Sequence, residues 1–196
     1  MMKSVCVFCG SSDDVGAHYL AAARQMGGVL ARRDLRLVYG GGRTGLMGAV
    51  ADGALEAGGE VIGVMIPSMN TAVLAHAGLT RMDMVPEMHA RKARMHELSD
   101  AYIALPGGFG TFDELFEAIT WGQIGVHEKP VGLLNTHDYY GPLLAAIDHA
   151  VQEGFILPAH RAALHSDADP EKLLTQMEHH RHPSEAVRRW LRQADE

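Results

Sequence analysis

Glu114 follows Thr111 by three positions, and Thr111 ends the run Pro106-Gly107-Gly108-Phe109-Gly110-Thr111. A glycine turn feeding a helix offers unpaired backbone N–H groups and the positive end of the helix dipole, which together attract an anion. The amides around Gly108 to Phe112, with the Thr111 hydroxyl, suit a phosphate monoester. No Gly-Lys-Ser/Thr follows, so the run is not a Walker loop, which argues against ATP or GTP hydrolysis. Glu114 carries two readings. Thr111-Phe112-Asp113-Glu114 fits a capping box with Thr as N-cap and Glu at N3, worth about 1 kcal/mol. Against capping alone stands electrostatics: a phosphate held here would lie beside the Asp113 and Glu114 carboxylates. That repulsion is costly unless a carboxylate acts at the adjacent sugar.

Two cations complete the set. In the helical stretch around Glu87–Ser99, Met88, Met95 and Leu98 mark an inward stripe, and Arg91 and Lys92 fall on it at the i+3 and i+4 places. Lys92 alone reads equally well as a side chain snorkelling at the stripe's edge. As a pair, the two cations read better as groups that offset phosphate charge and position a ribose or base.

The elements that must position these residues alternate along the chain. Strand-length apolar runs occur at Val5–Phe8, Leu35–Tyr39, Val61–Ile66, Ala101–Leu105 and Val131–Leu134, with a shorter one near Met82–Val85. Helical patterns lie between them: one with Tyr19, Leu20, Ala23, Met26 and Leu30, and others near Thr44, Glu87–Ser99, Phe112–Ile124 and Tyr139–Gln152. This alternation predicts an α/β, Rossmann-like, doubly wound and mostly parallel sheet with helices on both faces. Residues 1–182 read as one domain, and 183–196 as a helical tail with Ala186, Val187, Trp190 and Leu191 on one face.

Two more glycine loops fall at the ligand-binding edge of such a sheet, Gly10-Ser11-Ser12 and Gly40-Gly41-Gly42-Arg43-Thr44-Gly45. The second matches G-x-G-x-x-G, but it follows the second strand, and the next strand ends in Pro67-Ser68 without the acidic residue a dinucleotide ribose needs. An NAD dehydrogenase is therefore disfavoured.

The bulk numbers exclude several classes. The chain has 196 residues and a formal net charge of −7, with no Lys/Arg run longer than two. No nucleic-acid partner is expected from so few clustered cations. There is no signal-peptide core and no membrane-length apolar stretch, so a cytoplasmic protein without membrane contact is expected. Cys6-x-x-Cys9 reads as two small buried hydrophobes, since residues three apart on a strand face opposite ways and no further zinc ligands lie nearby. His179-His180-Arg181-His182 reads as a solvated, partly disordered turn rather than a chelator, and no metal site is expected.

Taken together, the motifs resemble those of the LOG ("Lonely guy") family, cytokinin riboside 5′-monophosphate phosphoribohydrolases often labelled lysine decarboxylase-like. The resemblance rests on Pro106-Gly107-Gly108-Phe109-Gly110-Thr111-Phe112-Asp113-Glu114 for P-G-G-x-G-T-x-x-E and Met88-His89-Ala90-Arg91-Lys92 for M-H-x-R-K. Cys9 to Ser12, Val38 to Gly48, Ile119-Thr120-Trp121, Lys129 to Asn135 and Tyr139-Tyr140 continue it, from about Lys3 to Ile156. It implies Arg91 and Glu114 as the catalytic pair. It implies Lys92, Gly107, Gly108, Phe109, Gly110, Thr111, Phe112, Asp113 and Thr120 as substrate-binding positions. It further implies a homodimer sharing its active site, N6-substituted adenosine monophosphates or AMP as substrate, and free base plus ribose 5-phosphate as products, with no cofactor. The pattern departs at Val73, where many relatives carry Glu, at Asp113, often Glu, and at Asp13-Asp14.

The residues suit that chemistry. Glycosidic cleavage builds positive charge on the ribose, and a carboxylate beside the anomeric carbon stabilises it and orients water, both tasks assigned to Glu114. Arg91 would hold that carboxylate or the ribose hydroxyls and help the departing base accumulate electrons. Three alternatives make different demands on the sequence. A pyridoxal phosphate decarboxylase needs a Schiff-base lysine, and of four lysines only Lys92 is near the site. A non-catalytic nucleotide or molybdenum-cofactor carrier, or a nucleotide-sensing module, would need the glycine loops but not the Arg91–Glu114 pair.

Overall fold

The computed structural model describes residues 2–184. β1 (Ser4–Phe8) is buried along its whole length, as a strand covered on both faces must be. It leads through α1 (Ala17–Arg32), β2 (Arg36–Tyr39) and α2 (Gly45–Glu56) to β3 (Val61–Met65). A 3-10 turn at Pro67–Met69 and a polar loop precede β4 (Arg81–Met84), α3 (Met88–Glu97) and β5 (Ala101–Ala104). Then come α4 (Phe109–Gln123), β6 (Val131–Leu134), α5 (Gly141–Gln152), the short α6 (Pro158–Ala162), β7 (Leu164–Asp167) and α7 (Pro170–Glu178).

The strands form one sheet in the order β4-β3-β2-β1-β5-β6-β7, every pair parallel. The chain winds outward from β1 to β4, then returns to lay β5 on the other side of β1, with Val5 opposite Ala101. The crevice of a doubly wound sheet opens at that reversal, beyond the carboxyl ends of the strands. The loops after β1 and β5 meet there, and the Gly10 amide donates to the Pro106 carbonyl at 3.0 Å.

One face of the sheet packs Val5, Val7 and Leu37 against α1, α2 and α7 through Met26, Leu30, Val50 and Leu173. The other packs Cys6, Phe8 and Tyr102 against α3, α4 and α5 through Met95, Leu115 and Ile147. α1 and α2 touch backbone to backbone: a Cβ at Gly27 would lie 2.0 Å from the Val50 carbonyl oxygen. Cys6 is fully buried in the second cluster while Cys9 borders the first, so the two thiols face opposite ways and remain free.

Three expectations change. α4 begins at Phe109 with Gly108 as N-cap, so Thr111 is its third residue and the capping box does not form. β7 and α7 extend the sheet beyond the elements read from the apolar pattern. β7 is an edge strand with one buried residue, Leu164. α7 has its own start signal, Asp169 accepting from the Glu171 and Lys172 amides with Pro170 at the first position. Finally, the histidine segment is not a solvated turn. His180 Nδ1 lies 3.0 Å from His165 Nε2, and His182 Nε2 donates to the Gly122 carbonyl at 2.9 Å, which fastens the segment over α4 and β7. Of the expected tail 183–196, all but the first two residues lie outside the described residues. Among the described residues, no helix is long and apolar enough to cross a membrane.

Candidate active site

Of the glycine loops, the one after β2 has its amides filled from within. Gly45 N donates to Asp13 Oδ1 at 2.7 Å, and Leu46 N and Met47 N donate to the Gly10 carbonyl at 2.9 and 3.3 Å. The loop after β5 differs. Among the described residues, the amides of Gly108, Phe109, Gly110 and Thr111 have no acceptor, and the first helix-starting bond runs from Phe112 N to the Gly108 carbonyl at 3.0 Å. The positive end of α4 is thus left open at the crevice. Gly107 is demanded by Thr111: a Cβ there would lie 2.1 Å from the Thr111 hydroxyl oxygen.

Beside this open end lies a cavity of about 480 Å³, lined among others by Ser11, Gly40, Met47, Arg91, Gly110 and Glu114. Arg91 is 7% exposed. Its Nε donates to the Val64 carbonyl and its Nη2 to the Gly40 carbonyl, both at 2.9 Å. Two strand ends therefore fix the plane of the guanidinium. Gly40 has to be glycine for this, since a Cβ would fall 1.9 Å from Arg91 Nη2. The remaining nitrogen, Nη1, lies 3.7 Å from Glu114 Oε1. Burial pushes the Glu114 carboxyl up to about 7, against the pull of Arg91, and the charge of neighbouring Asp113 adds to the rise.

Lys92 also reaches the cavity, but its ammonium is engaged, 3.2 Å from Asp113 Oδ2 and 2.7 Å from Glu117 Oε2. Burial lowers its proton affinity, and the Glu117 and Asp113 carboxylates outweigh that and raise it above the usual lysine value. Glu117 continues the chain of polar contacts inward. Its Oε1 is 3.4 Å from His96 Nε2, and His96 Nδ1 meets the Tyr102 hydroxyl at 2.8 Å. Lys92 thus clamps α3 to α4.

The structure brings Arg91, Lys92, Gly110, Asp113 and Glu114 to one cavity and sets Gly107, Gly108 and Thr111 at its anion-seeking end. It leaves three expected side chains outside, those of Phe109, Phe112 and Thr120. The Phe109 ring is 94% exposed, so only its amide faces the site. Thr120 is exposed two turns along α4 from Asp113 and does not line the cavity. Phe112 is half-buried against Tyr140, ring centroids 6.4 Å apart. Met88, expected to point inward, instead lines the cavity with Met47, Met65 and Met69. This apolar wall was not read from the sequence, although Met47 and Met65 sit beside glycine loops or strand ends where it could have been found.

Residues 47–177 match the family model described as "possible lysine decarboxylase". The cytokinin riboside 5′-monophosphate phosphoribohydrolase of Rhodococcoides fascians is 55% identical over 162 residues, 82% of this chain and 81% of its own. An Arabidopsis thaliana protein of the same name is 46% identical over 176 residues, 90% and 83% of the two chains. The chain belongs to this LOG family. Among solved structures, the molybdenum cofactor binding protein of Rippkaea orientalis shares the fold, with 25% identity, a TM-score of 0.69 and coverage of 91% and 96%. In three dimensions the LOG signature P-G-G-x-G-T-x-x-E is a turn, an unfilled helix start and a carboxylate one turn further on. M-H-x-R-K is the helix that sets a guanidinium against that carboxylate.

Proposed function

We propose that the chain hydrolyses the N-glycosidic bond of a nucleoside 5′-monophosphate, AMP or an N6-substituted adenosine monophosphate, to free base and ribose 5-phosphate without a cofactor. The observation that carries this reading is the Arg91–Glu114 pair, 3.7 Å apart beside the unfilled amides of α4. Phosphate on those amides holds the nucleotide in the crevice and orients the ribose. The ionised Glu114 stabilises the oxocarbenium-like ribose and orients the attacking water. Arg91, held by two carbonyls, sets its Nη1 beside that carboxylate and against Met88 Sδ, 3.5 Å away, on the cavity side. The methionine wall suits the apolar side of a purine and its substituent. The decarboxylase label in the family description fits poorly, because a Schiff-base lysine must lose its proton while Lys92 is held charged between two carboxylates.

The exposed face of α4 supports a homodimer with a shared site. Phe109 and Phe116 lie two turns apart on it, 94% and 42% exposed, and Asp113 and Thr120 follow the same face. A second copy docked there would cover the rings and carry Thr120 to a neighbouring cavity. Neither nucleic acid nor membrane enters this reading, and it places the protein in the cytoplasm.

The test is release of free base from AMP and from isopentenyladenosine monophosphate. Glu114→Gln should lose about 10²-fold or more in kcat while still binding AMP. In the wild type, kcat/KM should fall as pH drops below about 7, where Glu114 takes up a proton. The carrier reading is favoured by the Rippkaea orientalis likeness, and it would prevail if the wild type bound AMP tightly and released nothing.

A further inference from the structure

The segment Asn135 to Tyr140 takes no part in the chemistry above, yet it is tied to the anion loop. His137 and Asp138 sit in the left-handed region, at φ 50° and 58°, where residues with side chains are disfavoured. Asn135 holds this turn together. Its Nδ2 donates to Asp138 Oδ1 at 3.0 Å, and its Oδ1 accepts from the Tyr140 amide at 2.6 Å. The product of the strained turn is a pair of consecutive tyrosines. The Tyr140 hydroxyl donates to the Leu105 carbonyl at 2.6 Å and the Tyr139 hydroxyl to the Gly107 carbonyl at 2.5 Å. Tyr19 and Tyr140 pack edge-on against the Tyr139 ring, with centroids 5.8 and 5.1 Å away.

The Gly107–Gly108 peptide is trans, so its N–H points opposite to its C=O. The Tyr139 hydroxyl, carried on the turn after β6, draws the carbonyl toward itself. The Gly108 N–H of the same peptide therefore points away from the Tyr139 hydroxyl, and its neighbour Gly110 lines the cavity with Ser11. Gly107 is confined by Thr111 and Gly10, whereas a Cβ at Gly108 would meet no atom within 4 Å, and a Gly-Gly link has wide conformational freedom, so the Tyr139 hydroxyl is the side-chain group that fixes the carbonyl's direction. We propose that Tyr139 is a positioning residue for the substrate phosphate: its hydroxyl locks the Gly107–Gly108 peptide with the Gly108 amide facing the headgroup. It acts through the loop on phosphate binding and leaves the bond-breaking step alone.

The proposal rests on the phosphoribohydrolase reading, and two measurements keep the two apart. Ribose 5-phosphate binding, followed by calorimetry, needs no turnover, whereas AMP and adenosine cleavage does. Tyr139→Phe keeps the ring packing and should melt within about 3 °C of the wild type. It should bind ribose 5-phosphate about tenfold more weakly and show a similar rise in KM for AMP, the size expected for one lost hydrogen bond. Its kcat on AMP and its slow cleavage of adenosine should stay within about twofold, because only phosphate-dependent binding changes. Unchanged ribose 5-phosphate affinity, or a fall in kcat without a rise in KM, would overturn the role given to Tyr139. A wild type that releases no base from any monophosphate would overturn the hydrolase reading instead, and the calorimetric comparison would still decide on Tyr139.

Discussion

At Glu114, stability and activity pull in opposite directions. The carboxyl is pushed up to about 7 by burial in the crevice wall, whereas in the unfolded chain it ionises near the ordinary glutamate value. The folded state therefore binds the extra proton between those two values. Stability from this group is fully present below the unfolded pKa and is lost as pH rises through about 7. Glu114→Gln, which cannot ionise, should unfold at higher denaturant than the wild type at pH 8. The gain, about 3 kcal/mol at most, should shrink steadily between pH 7 and pH 4.5. Urea titrations of both proteins across that range check it. A variant less stable than wild type at pH 8 would mean that the Arg91 contact outweighs the burial of the charge. The identity of this residue was legible in the sequence, but its role as a helix cap was not sustained. The capping box needs Thr111 outside the helix, and the helix starts two residues before it.

At the scale of elements, α4 owes its start to the loop it grows from. Gly108 and Gly110 are poor helix formers, so an apolar pattern places the helix later, at Phe112. Extending it back over Phe109 and Gly110 leaves amides for an anion that a side-chain cap would otherwise occupy. β7 escaped the same kind of reading because Leu164-His165-Ser166-Asp167 buries only its leucine and shows no apolar run. The α1–α2 contact makes a prediction of its own. Gly27→Ala drives a methyl group against the Val50 carbonyl and should destabilise the protein by about 1–3 kcal/mol through overpacking. The denaturation midpoint should fall accordingly. Since the contact lies away from the crevice, KM for AMP in the folded fraction should stay near the wild-type value.

For the whole molecule, the exposed α4 face predicts association. Phe116→Glu places a charge in the apolar patch and should shift the protein from dimer to monomer in light scattering at micromolar concentration. If the site is shared, kcat/KM should fall in step with the dimer fraction as the protein is diluted. A monomeric wild type would end the shared-site reading, and would leave Thr120 without a place in the chemistry.

The alternation of apolar runs and helical stripes was enough to specify a parallel doubly wound sheet, because each period of burial admits one kind of element and parallel strands require crossovers. The same local chemistry marked the glycine turn before α4 and, with the family motifs, singled out Arg91 and Glu114, which the fold brings to one cavity. What local pattern cannot express is which distant backbone atoms those side chains meet. The carbonyls of Gly40 and Val64 fix Arg91 only because strand order sets β2 and β3 beside one another under α3. Asp13 fills one glycine loop and leaves the other open only because the loops after β1 and β2 are neighbours. Such contacts are decided by long-range packing, where the burial of whole faces chooses the partners and each polar atom bonds to whatever that packing brings within reach.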